Sequence, residues 1–103
     1  MWPSVVAAMS TDIYLGDFET NFTWNYGQMW SLATGRNKTA DVQGMTGSEA
    51  AIVFALAIQS VEQYPKAYIG LEPSNGWGTM PWFLEKLHEC LAACDEYPEE
   101  VWE

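Results

Sequence analysis

A single histidine, His88, stands two residues before Cys90 and six before Cys94. Any Cys–His nucleophile or His/Cys metal site in this chain must use that one imidazole. On a helix His88 and Cys90 point about 200° apart, and a His/Cys/Cys site still needs a fourth ligand. Both thiols fall within an apolar stripe, where cysteine behaves as a small hydrophobe. Carboxylates such as Asp17 and Glu19 have a spacing that acid–base chemistry can use, but alternate residues of any strand share a side. Nothing else selects them. No catalytic residue, metal or cofactor follows from these patterns, and the chain reads as a binding protein, not an enzyme.

The segment Asn75-Gly76-Trp77-Gly78-Thr79 offers binding chemistry instead. A glycine-rich turn that opens a helix presents unpaired N–H groups and the positive end of the helix dipole. It suits a phosphate or carboxylate, with Trp77 stacking on a ring. The same residues also serve plain structure: the glycines adopt angles that others cannot, Trp77 fills the core, and Asn75 bonds the turn. No Lys or Arg accompanies the turn. That disfavours polyphosphates, though not a nucleotide-like ring with a single anionic group, which the chain would sequester at Asn75–Thr79.

Fourteen acids face only Arg36, Lys38, Lys66 and Lys86, giving a formal charge of −10 that repels a phosphate backbone and disfavours direct nucleic-acid binding. Half of the acids (Glu85, Glu89, Asp95, Glu96, Glu99, Glu100 and Glu103) lie in the last helix and tail, so that end carries a negative field suited to a protein with a basic surface. Such a run also commonly serves solubility alone. Six tryptophans exceed what a core of this size fully buries, so some are exposed and available as interface anchors. The aromatics Tyr14, Trp24, Tyr26 and Trp30 gather near one strand–helix junction. The candidate binding residues are therefore Trp24, Asn25 and Trp30, then Asn75, Trp77 and Thr79, and lastly Glu96, Glu99 and Glu100.

These side chains need a frame. At 103 residues with 49% hydrophobic and 15% aromatic content, the chain folds as one domain, residues 1–103, with residues 1–10 a loosely held lead-in. Asp12 to Phe18 alternates as a strand, and Thr23 caps a helix carrying Tyr26, Met29, Trp30 and Ala33 that Gly35 stops. Arg36 to Gly44 is a polar surface loop. Thr46-Gly47-Ser48-Glu49 has the capping-box pattern, so residues 47–63 form a helix, apolar nearly all round from Ala50 to Ile58 and hence central to the core. It stops at Tyr64, before Pro65. A connector through Tyr68, Ile69 and Leu71 leads to a final helix capped by Thr79. Phe83, Leu87, Cys90, Leu91 and Cys94 form its buried stripe, and Glu85, Glu89 and Glu96 its opposite face. It ends near Asp95, and Val101 and Trp102 add a short strand beside the first. The expected fold is α+β: about three helices on a small antiparallel sheet of two or a few strands.

Pro65-x-x-Tyr68-x-x-Leu71-x-Pro73-x-Asn75-Gly76-Trp77-Gly78, followed by Phe83-Leu84 and Cys90-Leu91-Ala92-Ala93-Cys94-x-x-Tyr97-Pro98, resembles a family of short, mostly uncharacterised bacteriophage proteins. Its members carry an "NPENGWG" turn and a "YLxACxxYP" ending. Phe22-Thr23-Trp24-Asn25 with Met29 is similar to that family's "ITHN…M" junction, so the resemblance touches most of the chain from Asp12 onward. The loop from Arg36 to Gly44 does not match, Trp24 stands where the family has His, and the closing charged strand is cut short at Glu103. The resemblance implies phage origin and an α+β fold. It implies no activity, although small phage accessory proteins often act on host defence or host takeover.

Localisation is read as the host cytoplasm. The cysteine spacing suits a reducing compartment, the apolar stretch at Val5–Met9 is too short for a signal peptide, and no run reaches membrane-spanning length. The N-x-T sequons at Asn21 and Asn37 then read as chance matches. The expected function is inhibition or redirection of a basic host protein, such as a defence factor, through an acidic, aromatic-bearing surface. Self-association is left open.

Overall fold

The computed structural model describes residues 10–73, 76 and 78–103, and Trp24 by its backbone alone. Two strands, β1 (Ser10–Leu15) and β2 (Phe18–Thr23), pair as an antiparallel hairpin from Ser10↔Thr23 to Leu15↔Phe18. Four helices follow: α1 (Gly27–Thr34), α2 (Gly47–Gln63), the short α3 (Pro65–Ile69) and α4 (Met80–Glu96). The result is the expected small α+β fold. Ile13 and Leu15 are fully buried, as their alternation requires. The strand expected over Asp12–Phe18, however, is broken at Gly16-Asp17, where Gly16 takes φ 57° and turns the chain back. A two-residue hairpin loop with glycine first does this readily, and Phe18 then begins a second strand.

Thr23 does not cap α1 as expected: its Oγ1 accepts the Asn25 N–H at 3.1 Å in a 3₁₀ turn over Trp24–Tyr26, and α1 begins only at Gly27, with Tyr26 at its N-cap position. The capping box forms in full: the Glu49 N–H donates to Thr46 Oγ1 at 3.1 Å and the Thr46 N–H to Glu49 Oε1 at 2.9 Å. Thus α2 occupies residues 47–63, as the pattern requires. Pro65 both ends α2 and starts α3, since a proline costs nothing at a first helical position. The expected connector is in part helical.

The final segment is more tightly integrated than an acidic tail suggests. Tyr14 and Glu103 exchange backbone N–H···O bonds at 2.9 Å, the Trp102 N–H donates to the Met45 carbonyl at 2.8 Å, and the Gly44 N–H donates to that of Trp102 at 2.9 Å. Val101 bridges Thr46. The last residues therefore run between β1 and the 44–46 segment, and the strand expected beside β1 touches it through Glu103. Trp102 is buried between Phe18 and Phe54, with ring centroids 6.1 and 5.6 Å away.

The loop expected to be purely superficial from Arg36 to Gly44 dips inward: Ala40 and Val42 are fully buried. Asp41 pins it, accepting from Arg36 Nε at 2.7 Å and from Trp30 Nε1 at 3.3 Å. The all-round burial expected of α2 does not hold either. One face carries Ala50, Phe54, Ala57, Ile58 and Val61 into the core, but Ile52 is 65% exposed and Leu56 58% exposed. A two-stranded sheet and three neighbouring helices are too little structure to enclose a 17-residue helix.

Candidate binding surface

The outward face of α4 combines an anchor with a field. Its inward stripe of Phe83, Leu87, Cys90 and Cys94 is buried. At 100° per residue, Trp82, Glu85, Glu89 and Glu96 then fall within a sector of about 60° extending over roughly 21 Å of helix. All four are exposed, Trp82 to 61%. Glu99 and Glu100, exposed in the turn beyond, continue the negative surface.

The two basic side chains of α4 lie off this sector. Lys86 Nζ sits 5.8 Å from the centroid of the Phe22 ring and 3.5 Å from Thr20 Oγ1, turned toward the hairpin. On the other flank His88 Nε2 lies 3.9 Å from Glu62 Oε2, both side chains more than half exposed, a pairing of little energetic weight. The field is felt at the helix end, where desolvation first, then the charges of Glu96 and Asp17, raise the Tyr97 phenol above its ordinary range.

The residues expected to bind are distributed unevenly. Glu96, Glu99 and Glu100 are exposed as required. Trp30 is not an anchor: it is fully buried, packs on Phe22 and Phe54, and spends its N–H on Asp41. Asn75 and Trp77 lie outside the described residues, as does the Trp24 side chain. Asn25 is half-buried and lies beside Gly78, since a Cβ on Gly78 would stand 3.0 Å from Asn25 Cβ. Thr79 occupies the N-cap position of α4 but makes no side-chain cap; instead Glu72 Oε2 accepts the Met80 N–H at 2.7 Å. The chain's own carboxylate thus sits where an anion was expected, and it repels a second one. A nucleotide-like ligand loses its first donor there.

Sequence reasoning missed Trp82, the exposed tryptophan among the described residues. The signal was present: Trp82 precedes Phe83 in the α4 repeat and must point away from the stripe that Phe83 begins.

The groups weighed for catalysis do not assemble. Asp17 lies in the hairpin turn and Glu19 on β2, both exposed. Cys90 and Cys94 are buried free thiols. Burial above all, then the neighbouring sulfur of Cys94, pushes Cys90 well above the normal thiol range, and burial raises Cys94. Both are thus held as unreactive thiols at neutral pH. Among the described residues no three His, Cys, Asp or Glu side chains are grouped to hold a metal ion, and no helix is long and apolar enough to cross a membrane. Comparison with protein-family models, curated proteins and solved structures finds no match.

Proposed function

We propose that this chain is a phage accessory protein that inhibits or redirects a host protein by binding it, with the outward face of α4 as the contact surface. The observation that carries the reading is a 61% exposed Trp82 at the head of a row of carboxylates from which Lys86, the one Lys or Arg of α4, is turned away. Exposed tryptophans are the side chains that most often dominate an interface energetically. A single-sign surface of this kind accelerates encounter with an oppositely charged partner and rejects like-charged ones. The partner is therefore a protein with a basic surface, of the kind that grips phosphates. Phage origin rests on the resemblance carried from Asp12 onward, action in the host cytoplasm on the cysteine spacing and the short apolar runs, and host defence as target on what small phage accessory proteins often do.

The two contributions separate kinetically. Replacing Glu85, Glu89 and Glu96 with Gln lowers the association rate by about tenfold at low ionic strength and by far less at high salt. Trp82→Ala leaves the association rate nearly unchanged and raises the dissociation rate instead. Surface-plasmon measurements against the captured partner distinguish them, and a triple variant with wild-type association at low salt contradicts the steering role.

A further inference from the structure

The chain also has a concave feature, apart from the outward face of α4. A cleft of about 840 Å³ opens between α1 and the α3 segment, lined by Asn25, Gln28, Ser31, Asn37, Leu71 and Glu72 among others. Its volume lies within the ordinary range for small-ligand pockets. Carboxamides and a hydroxyl come from the 3₁₀ turn, from α1 and from the loop after it, Leu32 and Leu71 supply apolar wall, and Glu72 is the one charged lining residue. None of the four basic side chains lines it.

We propose that this cleft binds a small organic cation, an ammonium or guanidinium compound with an aliphatic stem. The chemistry argues for that class over the two alternatives. An anion would meet Glu72 and the field of a −10 protein with no base to offset either. A wholly apolar ligand would strip water from the lining amides without replacing their hydrogen bonds. A cation with several N–H donors satisfies Asn, Gln and Ser oxygens and the carboxylate together, while its stem covers Leu32 and Leu71.

Glu72 is held in place for the task. Its Oε2 is fixed by the Met80 N–H at 2.7 Å, and among the described residues the carboxylate has no other hydrogen bond. Its charge also acts at short range: burial first, then Glu72, pushes the neighbouring Tyr26 phenol up to about 12.

The test is an amide- and side-chain-resolved NMR titration of the full chain with spermidine, arginine and adenosine monophosphate. The expected result is saturable shifts for a cation at the Asn25, Gln28 and Asn37 side-chain amides. Glu72→Gln weakens that binding at least tenfold, whereas the double change Glu85→Gln with Glu89→Gln does not. Gln28→Leu, a change on an exposed position of α1, weakens it without touching the α4 cap. Shifts confined to the carboxylates of α4, identical titrations of wild type and Glu72→Gln, or adenosine monophosphate moving these amides while the cations do not would each overturn the assignment. Because the α4 variants are the controls here, failure of this site leaves the α4 reading intact, and the reverse.

Discussion

Trp102→Ala lowers the stability of the protein by about 3–5 kcal/mol, a large part of the ~5–15 kcal/mol that holds a domain of this class folded. The residue is 1% exposed one position from the end of the chain. It sits edge-on to Phe18 and tilted against Phe54, so it joins the hairpin to α2. Its backbone is held on both sides by Met45 and Gly44. Alanine leaves those backbone bonds without the side chain that keeps the segment docked. The indole N–H contributes little to this. It has no hydrogen-bond partner among the described residues, although the indole lies close enough to Cys94 to oppose the burial that raises that thiol. Trp102→Phe therefore costs markedly less than Trp102→Ala, because it keeps an aromatic body and removes an unpaired donor. Urea unfolding followed by far-UV circular dichroism reads both, and a Trp102→Ala loss below about 1 kcal/mol would place this side chain outside the core.

Gly47→Ala is the second large effect. Gly47 opens α2 directly beneath the end of α4: its N–H donates to the Glu100 carbonyl at 2.9 Å, and the next residue bonds Pro98 O through both its N–H and its hydroxyl at 3.0 and 3.1 Å. A Cβ on Gly47 would overlap the Tyr97 carbonyl oxygen and stand 3.0 Å from Pro98 Cα. Both obstacles are backbone and cannot swing aside. The helix start must move away from the tail, costing about 1–3 kcal/mol for the overpacking and roughly 0.5–1.5 kcal/mol for each hydrogen bond lost. Gly70→Ala is the control, since its Cβ meets only Lys66 O at 3.5 Å and Ala67 O at 3.6 Å. Thermal unfolding of the pair shows a fall of several degrees for Gly47→Ala and almost none for Gly70→Ala. Equal melting temperatures would mean that the α2–tail junction yields freely.

Both effects concern contacts between residues about fifty or more positions apart, and these the sequence conceals. Local signals were readable: Thr46 with Glu49 announced α2 to the residue, Gly35 ended α1, and the Phe83–Cys94 repeat defined the buried side of α4. Gly16-Asp17 was hidden inside an alternating pattern, because a two-residue loop between strands does not interrupt hydrophobic spacing by much. The exposure of Ile52 and Leu56 was not readable, since an apolar run states only what a helix can bury, while the number of neighbours decides what it does bury. Trp30 was misjudged for the converse reason: aromatics at a junction look alike whether they face solvent or, like Trp30, meet Asp41 and Phe54 inside. The acidic half of the candidate surface was visible in the charge count, but the aromatic that stands with it on α4 is Trp82, while Tyr26 and Trp30 near the first strand are buried. Glu72 as the cap of α4 was beyond local reading, being eight residues from the N–H it accepts.

The binding role of α4 is tested most directly by affinity capture from a bacterial lysate. Four baits are compared: wild-type chain, Trp82→Ala, the Glu85, Glu89 and Glu96 to Gln triple variant, and Ile52→Ser with Leu56→Ser on the opposite helix. The expected result is one basic protein retained by wild type and by the α2 variant at low salt, released at high salt, and lost from both α4 variants. Retention unaffected by the α4 changes, or loss with the α2 changes alone, would contradict the account.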